Sequence, residues 1–303
     1  MTTILRPLST SELLDRTFHL YRNNFLVFVG ITAIPQLFIL PLTLGGAAMT
    51  ARHQASTATA MVVFGYLLYY LALFVSQAPT ISAVSKLHLE QRISIGGAYS
   101  SSRSSLPRVI WIVFLISLIV TGLFVLAGIL IGTVGAALAT SNLGPWVVGT
   151  AGSIFVVLSA FVILRWMLNW SLVIPVAVLE GGWFRASVRR SKFLAKDSRW
   201  RIFGLFFLLG LLGGVTSLMI QIFLLLLVPV FGVRDYQRIQ AATQAMKAMA
   251  IFLSTSLVGA LGTIALSLVY YDQRVRKEGF DLQFMIATLE QATQVPTALP
   301  TIS

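Results

Sequence analysis

The chain has 303 residues, of which 57% are hydrophobic and 11% are charged, and its formal net charge is +12. A soluble domain usually carries about 25% charged residues, so this composition excludes a water-soluble globular protein. The sequence holds no cysteine, which excludes disulfides, thiol nucleophiles and cysteine-ligated metals. The three histidines, His19, His53 and His88, lie far apart in the sequence, and we expect neither a metal site nor a cofactor.

The membrane-spanning helices can be placed from five stretches that lack Asp, Glu, Lys and Arg. Each is long enough to cross a bilayer, which takes about 20 apolar residues in a helix. The longest, residues 109–164, contains a turn signal at residues 141–145 that divides it into two helices. We therefore predict an all-α polytopic membrane protein with about six transmembrane helices. The predicted spans are residues 25–44, 61–84, 109–138, 146–178, 202–231 and 248–271.

The connections between the predicted spans are too short to bury a soluble core. We therefore expect a single integral membrane domain over residues 1–290 and a disordered C-terminal tail over residues 291–303. The N-terminus is polar and lacks the basic start and apolar run of a cleaved signal peptide, so we expect the first span to be retained.

Basic residues lie mostly on one side of the predicted spans. Of the 22 Lys and Arg residues, 17 fall in the N-terminal segment, in residues 85–108, in residues 179–201 and after the last span, whereas four fall in the other connections. Because basic residues collect on the cytoplasmic side of a membrane, we expect both termini in the cytoplasm. Topology then explains the positive charge, and we expect no nucleic-acid partner.

Three short amphipathic segments, residues 11–22, 95–108 and 183–201, each lead directly into a pair of spans. They predict three units, each an interfacial helix followed by a transmembrane hairpin, repeated in the same orientation. The alternative is that basic linkers arise only because connections must lie at the lipid headgroups. On the functional interpretation, the three helices form a basic cytoplasmic face that binds anionic lipid or a soluble partner.

The first amphipathic segment has both a start signal and an apolar face. Ser9 and Glu12 fit a capping box, which predicts a helix that begins directly after Ser9. Leu14, Phe18 and Tyr21 recur at i, i+4 and i+7 and therefore share one helical face.

Arg165 is the most unusual residue of the predicted spans, because a charge inside a bilayer is costly and points to function by default. Counted from Trp146, it lies about 28 Å along the helix, near the inner headgroups; counted back from Leu179, it lies about 21 Å from the inner edge. None of the ten acidic residues lies in a predicted span core. The counter-charge is therefore a lipid phosphate, an anionic ligand, another subunit, or only backbone carbonyls and Asn169. Snorkelling to the headgroups is the structural alternative.

The predicted contacts for an anionic lipid or ligand are Arg165, Asn169, Arg189, Arg190 and Lys192. The last three belong to the third amphipathic segment, which is the most basic of the three. Guanidinium and ammonium groups form strong charge-assisted hydrogen bonds with phosphate oxygens.

Small residues four positions apart occur in three spans. These pairs are Gly128 with Gly132, Gly210 with Gly214, and Gly259 with Thr263. Such pairs let two helix backbones approach closely within lipid. We expect close packing inside the bundle, with contact to a second copy as the alternative.

No catalytic constellation accompanies these features. No chain of Asp, Glu and His crosses the spans, which argues against a proton-driven pump. The sequence contains no Walker-type loop, and its serines have no triad partners nearby in sequence. We therefore expect that the protein is not an enzyme.

Three segments together carry a resemblance to a known family: residues 12–22, residues 175–191 and the closing run YYDQRVRKEGFD at residues 270–281. The chain resembles the bacterial membrane-domain family named after the membrane region of glycerophosphoryl diester phosphodiesterases, which implies a protein of the bacterial cytoplasmic (inner) membrane. The resemblance implies lipid-headgroup chemistry only for a separate soluble domain that is fused in some members. Because 22 residues follow Asp281, we expect that this catalytic part is missing and that no catalytic residue carries over.

These observations favour a non-catalytic scaffold or accessory subunit that engages anionic membrane lipid through its basic face. A protein partner or a larger membrane complex belongs to the same expectation. One alternative is a transporter or channel-like carrier, suggested by proline-kinked spans and repeated hairpins. Another is a membrane module that positions a separately encoded glycerophosphodiesterase-type enzyme.

Overall fold

The computed structural model describes residues 8–52, 54–88, 91–139, 145–227 and 235–279. All regular elements in these ranges are α-helices, as predicted. In chain order they are α1 (Thr10–Asn23), α2 (Phe25–Leu37), α3 (Leu40–Ala51), α4 (Ala55–His88), α5 (Ile95–Ser102), α6 (Leu106–Ala139), α7 (Pro145–Trp170), α8 (Val173–Leu179), α9 (Phe184–Ala195), α10 (Arg199–Leu226) and α11 (Tyr236–Glu278). The predicted tail at residues 291–303 lies outside the described residues.

Five of the described helices are long and apolar enough to cross a membrane, or six if the bent pair α2 and α3 forms one span. Large hydrophobic side chains on their outer faces are exposed, for example Leu118, Val157 and Phe207. Exposed apolar surface of this extent does not suit water. The chain is therefore built as a multi-pass membrane protein.

Two predicted spans are broken helices. The first bends by 46° between α2 and α3, just after Pro35, whose ring cannot donate a backbone hydrogen bond. The fourth ends as α7 at Trp170 and resumes as α8 at Val173. This break absorbs the excess length of the predicted span 146–178. Pro175 does not kink a continuous helix, because it lies in the first turn of α8, where a missing N–H is tolerated.

The last span is much longer than predicted. Helix α11 begins at Tyr236 rather than at residue 248 and runs to Gly279, which ends it in the left-handed conformation with φ 58°. It packs against α1, α2, α3, α4, α8, α9 and α10. The buried core runs along it and includes Phe28, Leu172 and Ile264. Helix α11 is therefore the central element of the bundle.

The three amphipathic segments form α1, α5 and α9. All three lie at the same end of the bundle as Leu8 and as the last turns of α11, and we call this the charged end. Two hydrogen bonds support this arrangement. The Leu8 amide donates to the Asp272 carboxylate, and the Tyr99 hydroxyl of α5 donates to the Ile31 carbonyl. The opposite end, with α3 and the first turns of α11, is called the far end.

Helix α1 confirms one prediction made from the sequence and corrects another. Ser9 accepts a hydrogen bond from the Glu12 amide, and the Glu12 carboxylate accepts one from the Ser9 amide, which completes the predicted capping box. The fully buried positions, however, are Leu13 and Thr17, whereas Phe18 is 41% exposed. Helix α1 packs against α11 with one side and turns Phe18 outward, as an interfacial helix does towards lipid.

The glycines that bring helices together are not all the predicted ones. A Cβ added at Gly128, Gly132, Gly210 or Gly214 would meet no atom of the described neighbours within 4 Å. Close packing at these two pairs inside one copy was a wrong prediction, because Gly128, Gly132 and Gly214 are exposed and Gly210 borders an open cleft beside α11. Close approach occurs instead between α3 and α4. There a Cβ on Gly46 would lie 2.9 Å from Val62, and one on Gly65 would lie 2.7 Å from Thr43.

Candidate functional site

Asp272 is the centre of the first polar cluster at the charged end. Its side chain is completely buried and accepts hydrogen bonds from the Leu8 amide (2.7 Å), from Arg201 Nη1 (2.6 Å) and from Arg276 Nε (2.9 Å). The Leu8 carbonyl in turn accepts from Arg276 Nη2 at 2.6 Å and from Arg201. A buried carboxylate is costly unless it is paired. This cluster therefore fastens the N-terminal segment to α10 and α11.

A second cluster engages Arg190, one of the predicted lipid contacts. Arg190 Nε donates to both carboxylate oxygens of Glu180, at 3.1 and 3.0 Å, and its Nη1 pairs with Glu278. Tyr270 also donates to Glu180 at 2.7 Å, and Arg274 pairs with Glu278 at 3.2 Å. Although partial burial opposes the charge, these carboxylates raise the pKa of Arg190 above its usual value. The positive charge of Arg190 is thus already balanced by carboxylates of the protein itself.

Lys277 forms the third contact of the last turns of α11. Its ammonium group donates to Asp197 at 2.9 Å and to the Phe193 carbonyl at 2.8 Å. The hydrogen bond from Lys277 lowers the pKa of Asp197. Together the three clusters explain why so many ionisable residues stand between residues 270 and 278. They connect α11 to α1, α9, α10 and the α8–α9 junction.

Arg165 lies beside a cavity of about 170 Å³ between α7 and the start of α10. The cavity, named here the Arg165 cavity, is lined by Phe161, Leu164, Arg165, Leu168, Lys196, Asp197, Arg199 and Trp200. Lys196 and Asp197 come from the connection between α9 and α10, so Arg165 lies towards the charged end of α7. This position agrees with the count from Trp146 and not with the count from Leu179.

The charges around the Arg165 cavity do not balance. Arg165, Lys196 and Arg199 bring three positive charges, and Asp197, the acidic residue of the lining, is held by Lys277. Arg165 is exposed and has no hydrogen bond or ion pair with any residue that the structure describes. The Nε atom of Arg199 is buried and finds no partner there either. The cavity therefore offers unpaired cationic donors to an anion.

The structure does not gather the other predicted contacts into this cavity. Asn169 uses its backbone carbonyl to accept a 2.8 Å hydrogen bond from Ser191, and its Oδ1 atom is buried with no partner in the described part of the chain. Arg189 and Lys192 are exposed on the outer side of α9, opposite the buried Ser187 and Ser191. These two remain predicted headgroup contacts, on a surface separate from the cavity.

Three lining residues, Lys196, Arg199 and Trp200, are not marked as site residues by the sequence. Sequence periodicity places them in the third amphipathic segment with the other interfacial charges. It does not show that the connection after α9 lies against α7. Their distance in sequence from Arg165 hides the contact, because at least 30 residues of chain lie between Arg165 and each of them.

No protein-family model, no curated protein and no solved structure matches the chain. The resemblance carried by residues 12–22, 175–191 and 270–281 therefore stays a prediction.

Proposed function

We propose that the chain is a non-catalytic membrane protein, a scaffold or accessory subunit, that binds an anionic phospholipid in the Arg165 cavity. The observation that carries the proposal is the group of three cations, Arg165, Lys196 and Arg199, around one cavity whose acidic residue is already paired. A lipid phosphate would supply the missing negative charge and accept charge-assisted hydrogen bonds.

The remaining lining suits the glycerol and acyl part of a phospholipid. Phe161, Leu164 and Leu168 form an apolar wall on α7, and Trp200 stands on the opposite side. Trp200 is 72% exposed and Trp166, next to Arg165, is 45% exposed. Tryptophan prefers the level of the headgroups. In this placement Arg165 snorkels to a phosphate, so that the cost of its charge becomes small.

The orientation follows from the same placement. With six spans, formed by α2 with α3, α4, α6, α7 with α8, α10 and α11, the charged end faces the cytoplasm of a bacterial inner membrane. The helices α1, α5 and α9 then lie at the leaflet that holds anionic lipid. Each precedes two spans in the chain, which supports three repeated units. Arg189 and Lys192 add a weaker, non-specific attraction to the same surface.

The proposal can be tested by native mass spectrometry of the protein extracted with phosphatidylglycerol and phosphatidylethanolamine. We expect one tightly retained phosphatidylglycerol, and we expect Arg165→Gln combined with Lys196→Gln to weaken its retention at least about tenfold. A hydrogen bond to a charged group contributes about 1.5–3 kcal/mol, and 1.4 kcal/mol corresponds to a factor of ten. The matched control is Arg238→Gln, an exposed far-end cation. Equal retention by all variants would refute the cavity as the lipid site.

A carrier is the second candidate, and the bend between α2 and α3 is the observation that favours it. Discontinuous transmembrane helices line the substrate sites of many secondary transporters. If the protein is a carrier, liposomes that contain it should show a solute flux that is saturable and abolished by straightening the bend, for example with Pro35→Ala. A bundle that conducts nothing while it retains phosphatidylglycerol supports the scaffold.

A further inference from the structure

A second cavity lies towards the far end, between α2, α3, α4 and α11. Its volume is about 80 Å³, and its polar lining residues include Gln36, Thr43, Tyr66, Gln244 and Lys247. Lys247 precedes Asp272 by 25 residues on α11, which is about 38 Å along the helix axis. Among the described residues, none lines both this cavity and the Arg165 cavity. The two are separate sites.

Gln36 is the unusual residue of this cavity. It is 3% exposed, and both Oε1 and Nε2 are buried without a hydrogen-bond partner among the described residues. Leaving a buried polar group unpaired costs about 1–3 kcal/mol, and such groups in a folded protein are few and call for an explanation. A leucine would fill the same space without this cost. The amide of Gln36 therefore points to something else that enters the cavity.

The chemistry of the lining favours an anion. Lys247 is the cation of the lining, and no carboxylate stands among the described lining residues. Gln244 and Tyr69 already have partners, since Gln244 accepts from Thr50 at 3.0 Å and Tyr69 shares a 2.9 Å hydrogen bond with Thr255. The bond from Thr50 uses only the Oε1 atom of Gln244, so its Nε2 group remains a donor beside the Gln36 amide and the Lys247 ammonium. Such donors suit the oxygens of a carboxylate or a phosphate.

An apolar cleft of about 420 Å³ continues from the cavity along α11, between α4 and α10. Tyr69 and Ile251 line both, so the cavity and the cleft lie end to end. From Ile251 to Gly262 the cleft follows α11 for about 16 Å, which is close to half of the roughly 30 Å hydrocarbon core. The glycines Gly210 and Gly262 leave its floor open. These dimensions suit one acyl chain.

We propose that the cavity and the cleft together bind a single-chain amphiphile with an oxyanion head. The head, a fatty-acid carboxylate or the phosphate of a monoacyl lipid, lies between Gln36 and Lys247. The chain lies in the cleft between α4, α10 and α11. Gly210 on α10, which no described neighbouring helix packs against, would then leave room for the chain of the ligand within one copy. This site is independent of the lipid proposed for the Arg165 cavity.

The test uses the purified full chain in neutral detergent, with three probes of equal chain length: dodecanoate, dodecyl phosphate and uncharged dodecanol. Thermal unfolding reports stabilisation, and native mass spectrometry reports stoichiometry. We expect one bound dodecanoate or dodecyl phosphate and a raised Tm, while dodecanol has no comparable effect. The stronger of the two anionic probes identifies the source of the head. An equal effect of dodecanol, or no binding of either anion, would overturn the proposal.

Variants separate the head site from the tail site. Gln36→Leu should weaken binding of the anionic probe at least about tenfold and also raise the Tm of the empty protein, because it removes the unpaired amide. Lys247→Gln should weaken binding by a similar factor, whereas Arg238→Gln, the same charge change nine residues earlier on α11, should not. Gly262→Leu fills the cleft and should exclude dodecanoate while the shorter hexanoate still binds. Unchanged dodecanoate binding in Gln36→Leu and Lys247→Gln would refute the head site.

Discussion

Arg201 Nη1 lies 2.6 Å from an Asp272 carboxylate oxygen that has no solvent exposure. The two residues are 71 positions apart and join the start of α10 to the end of α11. Both residues also form hydrogen bonds with Leu8, which lies 264 positions before Asp272. One buried ion pair thus connects the first described residue to the last two helices. It stabilises the charged end that carries the Arg165 cavity.

Asp272→Asn should destabilise the protein strongly. The change removes the negative charge that Arg201 and Arg276 share, and breaking a buried pair costs about 3–5 kcal/mol because an uncompensated charge remains. Unfolding in mixed micelles with increasing SDS measures this loss. The matched control is Asp197→Asn, since Asp197 is exposed and paired with Lys277, and exposed pairs contribute little. Equal stability of the two variants would show that the Asp272 cluster is not a structural centre.

Arg190→Gln should change stability but not lipid retention. Its Nε and Nη1 groups already bind Glu180 and Glu278, so its charge is balanced within the protein and attracts a headgroup only weakly. A double-mutant cycle with Glu180→Gln should give a coupling of about 0.5–1 kcal/mol, the size found for partly exposed pairs. Native mass spectrometry should show phosphatidylglycerol retained as in the unaltered protein. If Arg190→Gln loses phosphatidylglycerol and the cycle shows no coupling with Glu180, Arg190 is a lipid contact as the sequence predicts.

The positions of the helices could be read from the sequence because bilayer thickness imposes a length on each apolar run. The charge-free stretches and the capping box of Ser9 and Glu12 were sufficient for that. The two breaks, after Pro35 and after Trp170, could not be predicted from the length of the apolar runs. A proline marks a local weakness but does not say whether the chain bends there, as the continuous helix α4 through Pro79 shows.

The sites depend on contacts that sequence periodicity does not encode. Arg165 could be singled out as a lone charge, yet its neighbours Lys196 and Arg199 come from a connection that packs across the bundle. Gln36 looks ordinary in the sequence, because a single amide in an apolar helix gives no sign that both of its polar atoms will be buried without partners. Both sites become visible only when α7 meets the start of α10 and when α2 meets α4 and α11.

Glycine substitutions should separate true helix contacts from open glycines. A Cβ at Gly65 would lie 2.7 Å from the Thr43 side chain, so Gly65→Ala should overpack the α3–α4 contact and cost about 1–3 kcal/mol. Gly214→Ala meets open space in the described structure and should leave stability equal or slightly higher, because alanine favours helix. Thermal unfolding in detergent compares the two. Destabilisation by Gly214→Ala together with a change in oligomeric state would instead reveal a second copy packed against α10.

The proposed orientation can be tested by labelling, because the chain contains no cysteine and a single introduced thiol reports only its own position. Ser100→Cys places a thiol on the exposed side of α5 at the charged end, and Tyr236→Cys places one at the far end, where the tyrosine is 74% exposed. If the charged end faces the cytoplasm, a membrane-impermeant maleimide should label position 236 in intact spheroplasts. Position 100 should react only in inverted vesicles. The reverse pattern would place the Arg165 cavity at the outer leaflet, where anionic headgroups from the cytoplasmic side could not reach it. Labelling of both positions from one side would contradict six spans, since three spans, α6, α7 with α8, and α10, separate the two positions and an odd number of crossings places them on opposite sides.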